Sequence, residues 1–133
     1  MVAATLSIAA GAWVAFGTSG TAFAFANPLC ASSAYAQTCL RISGYSLGTP
    51  SYGTFTASAA ARIPETIQTC INYNGASLGC TGFRALSPGQ TIAFAAGRFG
   101  IAGAWCANTW LFNPHAATTE VGHVCINVTT TIE

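Results

Sequence analysis

The chain has 133 residues, 52% of them hydrophobic and only 5% charged, with a formal net charge of +1. Its cations are Arg41, Arg62, Arg84 and Arg98 and its anions Glu65, Glu120 and Glu133; these scattered arginines exclude nucleic-acid binding, which needs clustered cations to displace counterions from phosphates. The apolar content excludes disorder, and the low charge leaves weak colloidal repulsion, so self-association or a partner surface is expected.

Met1 to Phe16 is an uncharged apolar run of the length expected of a secretion signal. Gly17-Thr18-Ser19-Gly20 interrupts it before the roughly 20 apolar residues that a membrane-spanning helix needs. Ala22-Phe23-Ala24 and Ala24-Phe25-Ala26 follow as overlapping small-x-small cleavage patterns, although no Lys or Arg precedes the run. Residues 1–26 are therefore read as a signal peptide removed on export, and 27–133 as a single secreted, extracellular domain with no membrane association after cleavage.

Within 27–133 the periodicity is that of strands. Gln37 to Gly44 and Ser51 to Ala57 are weaker candidates. The alanines 59–61 allow a helical turn that Pro64 disfavours extending. Ile67, Thr69, Ile71 and Tyr73 then alternate with Gln68, Cys70 and Asn72, the period of a half-buried strand, and Asn74-Gly75 is a strong turn signal. Phe83 to Ala85, the turn Leu86-Ser87-Pro88-Gly89, and Thr91 to Ala95 follow. Ala95-Ala96 is a second alanine pair, ended by Gly97. Ala104 to Phe112 is a strand stopped by Asn113-Pro114. Val121 to Thr131 is the last, with Val124, Ile126 and Val128 on one face. Turn signals at this spacing point to an all-β, small disulfide-bonded antiparallel β-sandwich, immunoglobulin-like in its layering.

Six cysteines, Cys30, Cys39, Cys70, Cys80, Cys106 and Cys125, all follow the signal. An even count in a short exported chain predicts a disulfide framework, and a small domain depends on such staples. Sequence alone does not decide the connectivity. Cys30–Cys39 closes a local loop. Cys70 and Cys125 face away from the apolar stripes of their strands, which suggests a cross-strand or inter-sheet bridge and leaves Cys80 for Cys106.

Glu65-Thr66-Ile67, Tyr73, Gly79-Cys80, Pro88-Gly89-Gln90 and Cys106 together resemble the small secreted α-amylase inhibitors of the tendamistat type, over about a third of the chain. The resemblance implies a six-stranded β-sandwich. It does not carry over the inhibitory residues, because the family's Trp-Arg-Tyr loop is absent and Cys30 and Cys39 follow a different spacing.

Catalytic and metal chemistry find no pattern. The histidines are His115 and His123, there is no Asp, and no Gly-x-Ser-x-Gly elbow marks a nucleophile. Paired acids for glycoside hydrolysis would have to come from Glu65 and Glu120, which nothing in the sequence places together. Cys30 and Cys39 are too far apart for a zinc Cys-x-x-Cys motif, and no cofactor is implied. Asn127-Val128-Thr129 is a formal glycosylation sequon within strand-forming sequence.

The candidate binding residues are Asn108, Trp110 and Phe112. In the strand from Ala104 to Phe112, Trp105 shares a face with Ala107 and Leu111, while Trp110 and Phe112 share the other with Cys106 and Asn108. If one face is core, the other displays aromatics suited to a protein interface or to sugar stacking; the alternative is that both faces are buried, between two sheets or under a loop. The leading expectation is a non-enzymatic binding or interaction module, part of an extracellular assembly, whose partner is another secreted or cell-surface protein. A secreted-hydrolase inhibitor and a structural subunit of a surface layer or filament are the alternatives.

Overall fold

The computed structural model describes the backbone at residues 2–8, 13–16, 27–46, 50–115 and 117–132, and side chains at 27–46, 50–115 and 117–128. The described residues form two antiparallel sheets with no helix. The larger sheet runs, in spatial order, β2 (Trp13–Phe16), β1 (Val2–Ile8), β11 (Thr119–Ile132), β10 (Gly103–Leu111), β6 (Glu65–Tyr73) and β7 (Ala76–Cys80), with β8 (Arg84–Leu86) also paired to β6. The smaller runs β3 (Leu29–Ser32), β4 (Ala36–Ser46), β5 (Tyr52–Ala61) and β9 (Thr91–Phe99). The architecture is the disulfide-bonded sandwich that the turn spacing predicts.

Strand alternation sets what lies between the sheets. Ile67, Thr69 and Ile71 of β6 and Trp105, Ala107 and Thr109 of β10 are buried, as are Val124, Ile126 and Val128 of β11. Phe55 of β5 stacks on Trp105 across the sandwich with ring centroids 3.8 Å apart, and Tyr73 meets Trp105 edge-on at 4.8 Å. The indole Nε1–H donates to the Ile101 carbonyl at 2.9 Å, so the buried ring leaves no unmet donor. Asn74 and Gly75, with φ of 50° and 84°, form the two-residue hairpin turn that their sequence predicts.

The alanine runs, open to a helical turn in sequence, are strand. Ala57, Ala59 and Ala61 are buried along β5 while Ser58 and Ala60 alternate away from the core. β3 and β7 are short, four and five residues, and were not legible in sequence.

β1 pairs antiparallel with β11, from Val2 opposite Ile132 to Ile8 opposite Ile126, and β2 pairs with β1. In the intact chain the apolar N-terminus thus forms an edge of the larger sheet. The cleavage patterns spanning Ala22 to Ala26 lie outside the described residues.

All six cysteines are bridged, as Cys30–Cys39, Cys70–Cys80 and Cys106–Cys125. The first matches the sequence expectation; the pairs Cys70–Cys125 and Cys80–Cys106 do not form. Each bridge joins residues directly opposite on adjacent strands of one sheet, with Cα–Cα distances of 4.0–4.1 Å. Cys70 and Cys125 lie on strands separated by β10, so β10 stands between them. The inter-sheet bridge typical of antibody domains therefore has no counterpart here. Three bridges in a small β domain fit an oxidising compartment.

Candidate functional site

The outer face of the larger sheet gathers most of the polar chemistry. β10 contributes Cys106, Asn108 and Trp110 to it, opposite Asn72, Cys70 and Gln68 of β6 on one side. On the other side lie Cys125, His123 and Glu120 of β11. An unbroken strand would send Glu120 and His123 to opposite faces. A bulge between Thr109 and Trp110 changes this: Thr109 opposes Gly122 and Trp110 opposes Glu120. Val121 becomes the extra residue and is buried, which returns Glu120 to the side of His123.

Asn108 is the hub of this face. Its Oδ1 accepts from Asn72 Nδ2 at 2.7 Å, and its Nδ2 donates to Glu120 Oε2 at 2.9 Å. The same nitrogen lies 2.7 Å from His123 Nδ1, and His123 Nε2 lies 2.9 Å from Cys125 Sγ. Asn108 is only 4% exposed, so it positions its neighbours rather than meeting a partner itself. Trp110 is half-buried between Gln68 and Glu120, with the remainder of its ring open on the outer face.

Phe112 continues this alternation past the end of β10. It is 46% exposed and packs against Phe83, itself exposed, with ring centroids 5.4 Å apart. Its backbone N–H is held by the Thr66 carbonyl at 2.9 Å. Beside it opens a shallow cleft of ≈ 500 Å³ lined by Tyr35, Ile63, Pro64, Glu65, Leu111 and Phe112, among others. Two loops build its far wall: Arg62 N–H donates to the Tyr35 carbonyl at 2.9 Å and Arg62 Nη1 to the Ser33 carbonyl at 3.1 Å, clipping the β5–β6 crossover to the β3–β4 turn. Tyr35 and Ile63 are exposed, giving an apolar rim with Phe83 and Phe112. Both carboxylate oxygens of Glu65 are buried with no hydrogen-bond partner among the described residues, and burial raises its pKa.

The two acids weighed for paired-carboxylate chemistry are not brought together. Glu65 follows the inward alternation of Ile67 at the cleft, whereas Glu120 belongs to the outer-face network. His115 is exposed in the β10–β11 turn, its N–H bonded to Asn113 Oδ1 at 2.9 Å. Ligand atoms of Cys106, His123 and Cys125 lie within 4.8 Å of one another, but both sulfurs are spent on a disulfide and offer zinc no thiolate. Asn127 of the sequon is exposed on β11. Of the candidate residues, Trp110 and Phe112 are on the surface and Asn108 is beneath it. Tyr35, Ile63 and Phe83 were not singled out in sequence, because they come from three separate loops that only the fold assembles.

No family model, curated protein or solved structure matches this chain.

Proposed function

We propose that the chain is an exported, non-enzymatic interaction module that receives an apolar segment of another secreted or cell-surface protein in the cleft beside Phe112. The observation that carries this reading is the contiguous exposed rim of Tyr35, Ile63, Phe83 and Phe112. Clustered exposed aromatics on a small domain mark interaction sites, and rigid aromatic anchors dominate binding energies. Trp110 extends the contact along the outer face. Export with loss of residues 1–26 is part of the same proposal, supported by the apolar N-terminus and by three bridges that persist only where thiols stay oxidised.

A second reading, a structural subunit that self-associates, is favoured by one observation. Loss of β1 on export would leave β11 from Ile126 to Ile132 unpaired on the edge that β1 covers. Such an open edge is a template for strand addition.

The test compares secreted wild type with Phe112→Ser, Phe83→Ser and Trp110→Ala in binding a partner captured from culture supernatant or cell surface. Phe112→Ser and Trp110→Ala are expected to weaken binding by about 30-fold or more, the hot-spot threshold, with melting temperatures nearly unchanged. Binding that survives all three substitutions, or a cooperative loss of fold in the Trp110 variant, contradicts the reading.

A further inference from the structure

Cys106–Cys125 differs from the other two bridges in having an imidazole nitrogen against one sulfur. The amides around His123 fix which nitrogen that is. Glu120 accepts only, so the Asn108 atom facing it at 2.9 Å is the amino group, and Asn72 donating to Oδ1 agrees. That amino group also faces His123 Nδ1 at 2.7 Å and calls for Nδ1 as acceptor, the Glu120 Oε1 atom lying farther from it at 3.5 Å. The ring proton is therefore on Nε2, directed at Cys125 Sγ 2.9 Å away. Both cysteines are half-buried on the outer face, while Cys30 and Cys80 of the other bridges are exposed, so the imidazole and not access sets this bridge apart.

From this geometry we propose that Cys106–Cys125 is an exchange-competent disulfide that reacts with an external dithiol, with His123 stabilising the departing sulfur. A thiolate of the dithiol attacks Cys106 Sγ, forming a mixed disulfide as the Cys106–Cys125 bond breaks. The bonding pair goes to Cys125 Sγ, whose developing negative charge is met by the Nε2–H already aimed at it. The second thiolate of the dithiol then attacks its own sulfur in the mixed disulfide and expels Cys106 as thiolate. The dithiol leaves oxidised, the pair of cysteines is reduced, and solvent supplies their protons. Stabilising the leaving sulfur accelerates such exchange. His123 touches a reacting atom and is catalytic in this step; Asn108 and Glu120 are positioning residues that hold the ring.

The experiment is timed reduction of the oxidised, purified protein by dithiothreitol, quenched by alkylation and mapped by mass spectrometry, with glutathione used separately to trap mixed disulfides. Cys106–Cys125 is expected to open first, and trapped glutathione to sit on Cys106 rather than Cys125. His123→Ala is expected to slow that bridge about tenfold and to erase the preference for Cys106, leaving the other two rates unchanged. The site of trapping in wild type is informative even if a variant folds poorly. Earlier opening of Cys30–Cys39 or Cys70–Cys80, equal trapping on both sulfurs, or a rate indifferent to His123→Ala overturns the proposal.

Discussion

Trp105→Ala is expected to lower the unfolding free energy by about 3–5 kcal/mol, the usual cost of truncating a buried Trp or Phe. The ring is fully buried, stacked on Phe55 of the facing sheet and met edge-on by Tyr73. Its loss opens a cavity at the centre of the contact between sheets. It also removes the donor to the Ile101 carbonyl. Because small domains retain only about 5–15 kcal/mol in total, the variant should lose a large share of its stability. Urea unfolding followed by circular dichroism measures this. Trp110→Ala, five residues along on the other face, should barely move the midpoint. A Trp105 variant as stable as wild type would mean that β10 is shifted by one residue, which exchanges its two faces.

Gly122→Ala is the second large effect, and its cause is overpacking rather than a cavity. A Cβ on Gly122 would overlap Thr38 Oγ1 of the facing sheet and come within 3.3 Å of Thr109 Cβ. Thr38 cannot turn aside cheaply. It is fully buried, and its hydroxyl is bonded to Thr109 Oγ1 at 2.7 Å, the polar tie between the two sheets. Admitting a methyl means parting β4 from β11 or breaking that bond, and overpacking of this kind typically costs about 1–3 kcal/mol. The same substitution at Gly75 offers a control, since space there is open and only its positive φ resists a side chain. Thermal unfolding should place Gly122→Ala well below wild type. A Gly122→Ala melting temperature equal to wild type would contradict the close approach of the sheets at this point.

The parts of the fold legible in sequence are those set by local alternation. Ile67, Thr69 and Ile71 announce both β6 and its inward face, and Asn74-Gly75 announces the turn that follows. That Trp105 and Trp110 lie on opposite faces of β10 also follows from alternation, but which face is the core does not. What sequence does not carry is register between strands distant in the chain. β10 lies between β6 and β11, so the partners of Cys106 depend on a spatial order that no local pattern encodes. The Cys70–Cys80 bridge was closer to legible. A two-residue turn at Asn74-Gly75 sets Cys70 opposite Gly79, and a one-residue bulge beside Ile71 moves it onto Cys80. The Glu120–Asn108–His123 group was hidden for the same reason, because the bulge at Val121 reverses the facing of β11 before Gly122.

The two surfaces divide the work. The apolar rim at the Phe112 end is the area proposed for a partner, while the network around Asn108 offers no such area but holds His123 against a sulfur. Both depend on the ladder that sets β6, β10 and β11 side by side. A slip of one residue between β10 and β11 would separate Cys106 from Cys125 and send Trp110 inward.

That ladder is tested most directly by the disulfide map of the purified protein, obtained by proteolysis without reduction and mass spectrometry of the linked peptides. The expected pairs are Cys30–Cys39, Cys70–Cys80 and Cys106–Cys125, with no free thiol. Recovery of Cys70–Cys125 with Cys80–Cys106 would place the strands in a different order and contradict the account of both surfaces.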